Sequence, residues 1–558
     1  MPKRARAVNE GCGPAPRTPS TPDQHTGSRM RRFLLATALL AAPIAAQDRD
    51  ATARIIDEGT NHSQVMPTVQ QLTDVIGPRM TNSPAMRRAE AWTAAKFAEW
   101  GLSDVHKEGF VFGRGWSIER SSVRMVTPRS VQLTAIPIAW TPPAQFSAPV
   151  IVAPMRRERD FAKWRGQLAG RIVMISLPGT GDEPDTAPFQ RLSAEELAKL
   201  DRFEQPRYDP EAVARRMKRL GFARALDTFL KAEGALAYAT MSRGDGKLVH
   251  GEGSLFEAGY AAKVPGIEIA AEDYRRVARL ARIGAAPTLE IASDVRFDES
   301  DANAYNIIAE IKGTDARAGY VMAGAHLDSW AAADGAADNA AGSAMVMEAA
   351  RILAATGVRP KRTIRFALWA GEEQGLLGSL AYIDRHLATR GSGNEPVLNG
   401  DAAYYGWPNR WPIVPRPGYA QLAAYFNIDN GSGKLRGLYA EGNVAAVPIL
   451  RDWLSPFDAM GAGTVVASRT TGTDHVFLQS IGLPAFQFIQ DPLDYDSRIH
   501  HTSIDTFDHL KADDMRQGSI VLAGVLLRAA NADQPLPRGP LPTRPVVTDP
   551  LAYSVDDD

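Results

Sequence analysis

Apolar positions follow two rhythms along the chain. Over residues 61–100 they recur at helical spacing, in VMPTVQQLTDVIGPRM and again in MRRAEAWTAAKFAEWG, with Gly101 as the stop. Near residue 130 the texture changes. VQLTAIPIAW, APVIVAP and GRIVMIS are short β-branched runs punctuated by proline and glycine, as in a small β-rich domain. A charged, proline-containing stretch follows over 178–219. After it come a helix in ARALDTFLKAEGA, a strand in ALAYATM, and a strand then a helix in VPGIEIAAEDYRRVARLAR. Beyond residue 298 strand and helix alternate to about residue 532, which predicts an α/β sheet. Residues 534–558 are proline-rich, end in three aspartates, and are expected to be extended and poorly ordered.

A length of 558 residues exceeds one ordinary core and predicts at least two domains. Apolar and charged contents of 44% and 23% are those of a globular protein. A net charge of −1, with no basic patch interleaved with aromatics, argues against nucleic acid or an anionic membrane surface as partner. MRRFLLATALLAAPIAAQD has a basic start, a short apolar stretch and small residues at its end. It reads as a cleaved export signal at 30–46, too short to span a bilayer comfortably. The expected location is therefore periplasmic or secreted, with no integral membrane segment in the mature chain. Residues 1–29 are polar and rich in proline and arginine, as a mis-assigned start would be, and they hold the single cysteine, Cys12. Disulfides are thus not expected to stabilise the mature protein, which leaves core packing and bound metal.

Candidate chemistry gathers where apolar strands end. GYVMAGAHLDSW delivers His326, IRFALWAGEE delivers Glu372 and Glu373, LAAYFNIDNGSG delivers Asp429, and PAFQFIQDPLDYDSRIHHTSIDT leads to His500 and His501. Asp338 opens the small-residue helix DNAAGSAMVMEAARILAATG. In open α/β sheets, ligands bind beyond the carboxyl ends of the strands, so these residues would converge on one crevice. Singly, each has a plain structural reading: aspartates at loop starts cap helices and acids near helix N-termini serve the dipole. Two histidines and three carboxylates drawn from this set, without cysteine, suit a pair of Zn²⁺ ions or similar borderline cations.

GAHLDSW, GAADNAAG, AGEEQGLLGS, FNIDNGSG and HHTSIDT together resemble the dizinc aminopeptidase and glutamate carboxypeptidase family of clan MH, over roughly residues 55–530. The nearest subgroup looks like the carboxypeptidase Q-like and bacterial secreted aminopeptidases, and the β-rich segment resembles a protease-associated domain. The resemblance implies an α/β, mixed-sheet zinc exopeptidase (phosphorylase/hydrolase-like) with that domain inserted. It implies a peptidase domain begun at 47–130, interrupted by the insert at 131–295, resumed as the catalytic part at 296–532, and followed by a disordered tail at 533–558. The family pattern assigns His326, Asp338 and Asp429 to one zinc, and Asp338, Glu373 and His501 to the other. It makes Glu372 the general base, Asp328 the carboxylate that orients His326, and the Asp338–Asn339 peptide cis. Glu373 would turn onto metal while its neighbour faces the attacking water, since successive side chains leaving a strand diverge. Some relatives have an oxyanion-binding tyrosine where this chain has His500, and Tyr495 is the substitute candidate. His475, in TGTDHVFLQSIGLPA, is read as a structural or pocket residue. Peptides are the implied substrates, most readily cleaved at the amino end. A carboxypeptidase Q-type dipeptidase or carboxypeptidase is the alternative, and a metal-free receptor or a glutaminyl-cyclase-like acyltransferase are alternatives of another class.

Overall fold

The computed structural model describes residues 50–181, 187–202, 215, 221–391 and 401–545, so the expected start segment at 1–29 and the export signal at 30–46 lie outside the described residues. Eight strands form the first sheet. In spatial order they are Ser103–Val111, Asn303–Ile311, Thr363–Trp369, Tyr320–His326, Leu422–Asn427, Ala485–Gln490, Leu435–Tyr439 and Thr464–Val466. Tyr320–His326 pairs in parallel with both Thr363–Trp369 and Leu422–Asn427, and Leu422–Asn427 pairs in parallel with Ala485–Gln490. Asn303–Ile311 and Leu435–Tyr439, which flank this parallel centre, run antiparallel to it. The sheet is mixed, as expected.

Tyr320–His326, Leu422–Asn427 and Ala485–Gln490 are buried at every position, which explains their unbroken apolar runs: a parallel strand covered on both faces has no polar side to show. Ala341–Ala355 is a helix buried through Leu353, and it packs on the sheet and on the helix Ala512–Asn531. Parallel pairing has a direct consequence for chemistry. Four chain segments leave the sheet along one edge, carrying the residues after His326, Trp369, Asn427 and Gln490 to the same place.

The second sheet has the order Val131–Leu133, Gly115–Thr127, Thr288–Asp298, Ala144–Val152, Ile172–Met174, Ala237–Met241, Gly266–Ile269 and Ala135–Pro137. Side chains alternate across its centre as strand geometry requires. Ile172 and Met174 pack with Tyr274 and Val277 of the helix Ala271–Arg282, whereas Val173 and Ile175 pack with Leu226, Phe229 and Leu230 of the helix Phe222–Ala232. The described residues from Thr52 onward form one compact unit containing both sheets.

Two long strands, Ser103–Val111 and Gly115–Thr127, have no counterpart in the apolar pattern. The first is a sheet edge whose only buried residue is Phe110. The second shows a charged face, on which Arg120 pairs with Asp294 at 2.7 Å and Arg124 with Glu290 at 2.9 Å across the strands. The second sheet accordingly begins at Gly115, ahead of the texture change near residue 130. Part of the charged 178–219 stretch is also structured. Ser193 caps the helix Ala194–Lys199 in a capping box with Glu196, and Leu197 packs on Val466 and Ile489. In the tail, residues 534–545 form neither helix nor strand, yet Leu536 is buried and Arg538 Nη1 donates to the Tyr419 carbonyl at 2.7 Å.

Gly524, in the last long helix, lies against the ring of buried Phe457, and a Cβ there would stand 2.0 Å from Phe457 Cζ. Gly524→Ala should therefore destabilise the protein by about 1–3 kcal/mol through overpacking. Urea unfolding of the two proteins side by side checks this, and an unchanged midpoint would contradict the packing described.

Candidate metal centre

His326 is the last residue of its strand and is almost fully buried. Its Nε2 stands 3.1 Å from Asp338 Oδ1 and 3.6 Å from Asp429 Oδ1. The other oxygen of Asp338, Oδ2, stands 3.2 Å from His501 Nε2, which is also 3.0 Å from Glu373 Oε2. All five sequence-predicted ligand residues thus meet at the strand ends, with one carboxylate oxygen of Asp338 turned to each histidine. Glu372 groups with His326 and Asp429, on the other side from His501.

The loop holding Asp338 is tied down from three directions. Asp505 accepts from the backbone N–H groups of Ala337 (2.7 Å) and Asp338 (3.0 Å). Asn339 Nδ2 donates to the Ile428 carbonyl at 2.9 Å, which joins this loop to the strand end that carries Asp429. The buried Arg79 guanidinium donates to the carbonyls of Leu327 (2.8 Å), Asp334 (2.7 Å) and Gly335 (2.8 Å). Gly335 is required where it stands: its φ is +59°, and a Cβ would lie 2.3 Å from Ser329 Cβ. The Asp338–Asn339 peptide is cis.

Asp328 meets His326 through its backbone carbonyl and, at greater distance, its carboxylate. His326 Nδ1 lies 3.0 Å from the backbone carbonyl of Asp328, while the Asp328 carboxylate is 3.7 Å away. That carboxylate instead accepts from Thr81 Oγ1 (2.8 Å) and from the backbone N–H groups of Glu372 (3.3 Å) and Glu373 (3.4 Å). It holds the turn that presents both glutamates. Tyr495 is buried and donates its hydroxyl proton to Asp338 Oδ2 at 3.1 Å. His500 is about half exposed, with Nε2 3.7 Å from the same oxygen and its ring against Tyr495 and His501. Fully buried His475 uses Nε2 toward Thr470 (2.9 Å) and Glu441 (3.3 Å), as a structural histidine would.

One participant left no trace in the motifs. Glu252, in the loop between Ala237–Met241 and Gly266–Ile269 of the second sheet, stands with Oε1 2.7 Å from His501 Nδ1. Trp330 packs edge-on to Trp140 and tilted against His501, with ring centroids 6.1 Å away in both cases. A cleft beside these residues is lined by Trp330, Asp338, Glu373, His501, Thr502 and Asp505.

The electrostatics ask for cations. Burial drives Glu372 well above the ordinary carboxylate range, opposed by His326 and reinforced by Asp429, Asp474 and Glu373. Burial pushes Glu373, Asp474 and Asp505 up to about 7. Burial would lower His326 and His501, yet facing carboxylates, Glu372 for the first and Glu373 for the second, hold both well above their usual value. Asp338 is held well below its usual value against the effect of burial, because both histidines face it. His326 Nε2 and Glu373 Oε1 are buried and make no hydrogen bond of acceptable geometry. Nitrogen and carboxylate donors that are buried, unsatisfied and in net negative excess fit divalent zinc.

The sequence model of Peptidase family M28 matches residues 306–525. Over 470 residues the chain is 24% identical to Carboxypeptidase Q of Mus musculus, covering 84% of this chain and 86% of that protein. The crystal structure of a Peptidase M28 precursor from Shewanella amazonensis SB2B superposes with a TM-score of 0.62 at 22% identity, over 89% of this chain and 99% of the other. BSAP, a zinc aminopeptidase from Bacillus subtilis, superposes with a TM-score of 0.54 at 19% identity, over 84% and 95%. These solved structures share the fold.

Without metal, Glu373, Asp474 and Asp505 prefer the neutral form in the folded state up to about pH 7, whereas unfolded they ionise near their ordinary values of 4.5, 3.8 and 3.8. Between those limits the native state binds more protons than the unfolded state, so stability falls as pH rises. Chelator-treated protein should accordingly lose thermal stability between pH 5 and pH 8, and added zinc should raise Tm most at the upper end. A Tm that rises with pH in metal-free protein would contradict the charge balance described.

Proposed function

We propose, from the premise that this chain is a clan MH zinc exopeptidase whose residues 306–525 are an M28 peptidase region, that it binds two zinc ions and removes residues from the amino end of peptides. His326, Asp338 and Asp429 would hold one ion, and Asp338, Glu373 and His501 the other. The single observation that carries the pairing is Asp338, whose two oxygens face different histidines at 3.1 and 3.2 Å. Bound zinc supplies the charge that offsets these carboxylates, acidifies a water and polarises the scissile carbonyl.

The remaining work falls to the chain's own groups. Glu372, presented beside His326 and Asp429, takes a proton from the attacking water and returns it to the leaving amine. Asp328 keeps the glutamate turn in place through two backbone hydrogen bonds. Half-exposed His500, close to Asp338 Oδ2, would be the group to donate a hydrogen bond toward developing negative charge on the substrate, whereas Tyr495 commits its hydroxyl proton to Asp338.

Likeness of fold supports cleavage at the amino end. BSAP, of the same fold, is a zinc aminopeptidase. The likeness to Carboxypeptidase Q, which spans 84% of the chain, supports the second reading, a dipeptidase or carboxypeptidase. Strands between Gly115 and Asp298 support a protease-associated-like insert, and the sequence at 30–46 supports export. Among the described residues no helix is long and apolar enough to cross a membrane.

Aminoacyl anilides and free peptides should be cleaved with zinc present, and N-acetylated peptides should not. Release of carboxy-terminal residues from N-blocked substrates would instead establish the second reading.

Glu372→Gln should retain both ions and near-native stability while kcat falls by at least ~10²-fold, as for loss of a general base. Glu373→Gln should weaken one site and lower zinc content as well as rate. Metal analysis separates the two variants, and the opposite pattern of zinc loss would reverse the roles.

A further inference from the structure

His501 depends on a residue far from it in sequence. Its Nε2 faces Asp338 and Glu373, so its other nitrogen, Nδ1, carries the proton outward, toward Glu252 and with Arg243 Nη2 3.3 Å away. Glu252 Oε1 lies 2.7 Å from that Nδ1, in position to accept the proton, and the two residues are separated by 249 positions. Glu252 is itself gripped by Arg243, whose Nη2 donates to Oε1 at 2.6 Å and Nη1 to Oε2 at 3.0 Å. The same loop meets the histidine loop again through its backbone: Ser503 N donates to the Val249 carbonyl at 2.9 Å. His326 is supported differently, by the backbone carbonyl of Asp328 only two residues away.

We propose that Glu252 is a positioning residue for the Asp338–Glu373–His501 metal site, so that the second sheet completes one of the two zinc sites while the His326 site is self-contained. The proposal rests on the assignment of His501 as a ligand. A carboxylate on the far nitrogen of a ligand imidazole fixes its tautomer, aims its lone pair and raises its basicity, and loss of such a partner weakens metal binding about 10–100-fold. Arg243 adds orientation: its two hydrogen bonds restrain the carboxylate whose Oε1 lies 2.7 Å from His501 Nδ1.

The test titrates zinc into metal-free, full-length protein and follows the visible spectrum of the cobalt-substituted form. Glu252→Ala should leave one zinc equivalent bound with wild-type affinity and weaken the other by about 10–100-fold, with an altered cobalt spectrum. Glu252→Gln keeps an oxygen that accepts the Nδ1 proton but removes the charge, so it should fall between Glu252→Ala and wild type. If Glu252→Ala does not fold, Glu252→Gln decides alone, and wild-type affinity at both sites overturns the proposal. Equal weakening of both sites by either variant also overturns it. His501→Ala separates this proposal from the reading beneath it. If His501→Ala loses one equivalent while the Glu252 variants bind as wild type, the positioning role fails and the ligand assignment stands. If His501→Ala keeps both equivalents at full affinity, the ligand assignment itself fails.

Discussion

Like charge held out of water is the constraint around which this structure is organised. Asp328, Asp338, Glu372, Asp429, Asp474 and Asp505 are all buried, with Glu373 beside them, against two facing histidines and the guanidinium of Arg79. A buried carboxylate without compensation is strongly destabilising, and it protonates unless a partner is supplied. Hydrogen bonds from main-chain N–H groups steady Asp328 and Asp505, and the imidazoles steady Asp338. The remainder is a deficit of positive charge at one spot, which is the physical meaning of a metal site.

The sheet makes that crowding possible. Parallel strands deliver their carboxyl ends to one edge; three of them contribute a ligand at or just past their ends, and Ala485–Gln490 leads through a loop to His501. Asn339 then laces the Asp338 loop to the Asp429 strand end, while Asp505 and Arg79 pin it from beneath. Glu372 and Glu373 are adjacent because the turn held by Asp328 sends them to opposite sides of the same cluster. Asp328 thus acts on the glutamates through their backbone, and its own carbonyl is placed to accept from His326 Nδ1.

The parallel centre of the sheet and its ligands were legible in the sequence for one reason: strands covered on both faces must be apolar throughout, so the first polar residue after each run stands out. His326, Asp429 and the glutamate pair are such residues. Ser103–Val111 and Gly115–Thr127 were not legible, because an edge strand and a strand with a charged face need no apolar rhythm. Glu252 was invisible for a different reason. It sits in a short polar loop, HGEGS, with nothing local to mark it, and its meaning comes entirely from a partner across the molecule. Asp328 was legible as a neighbour of His326, but its hold on the backbone of Glu372 and Glu373, 44 and 45 positions away, left no mark in the motif.

The contact between Glu252 and His501 also bears on how the chain reaches its native state. Contacts across 249 residues close a large loop, and their entropic penalty is met only after the intervening elements have organised. His326 and Asp328, by contrast, come together as soon as one strand end forms. The His326–Asp328 contact is thus local, whereas the contacts of His326 with Asp429 and of His501 with Glu252 both await long-range closure of the chain. The His501 half of the site is therefore finished only when the tertiary structure is.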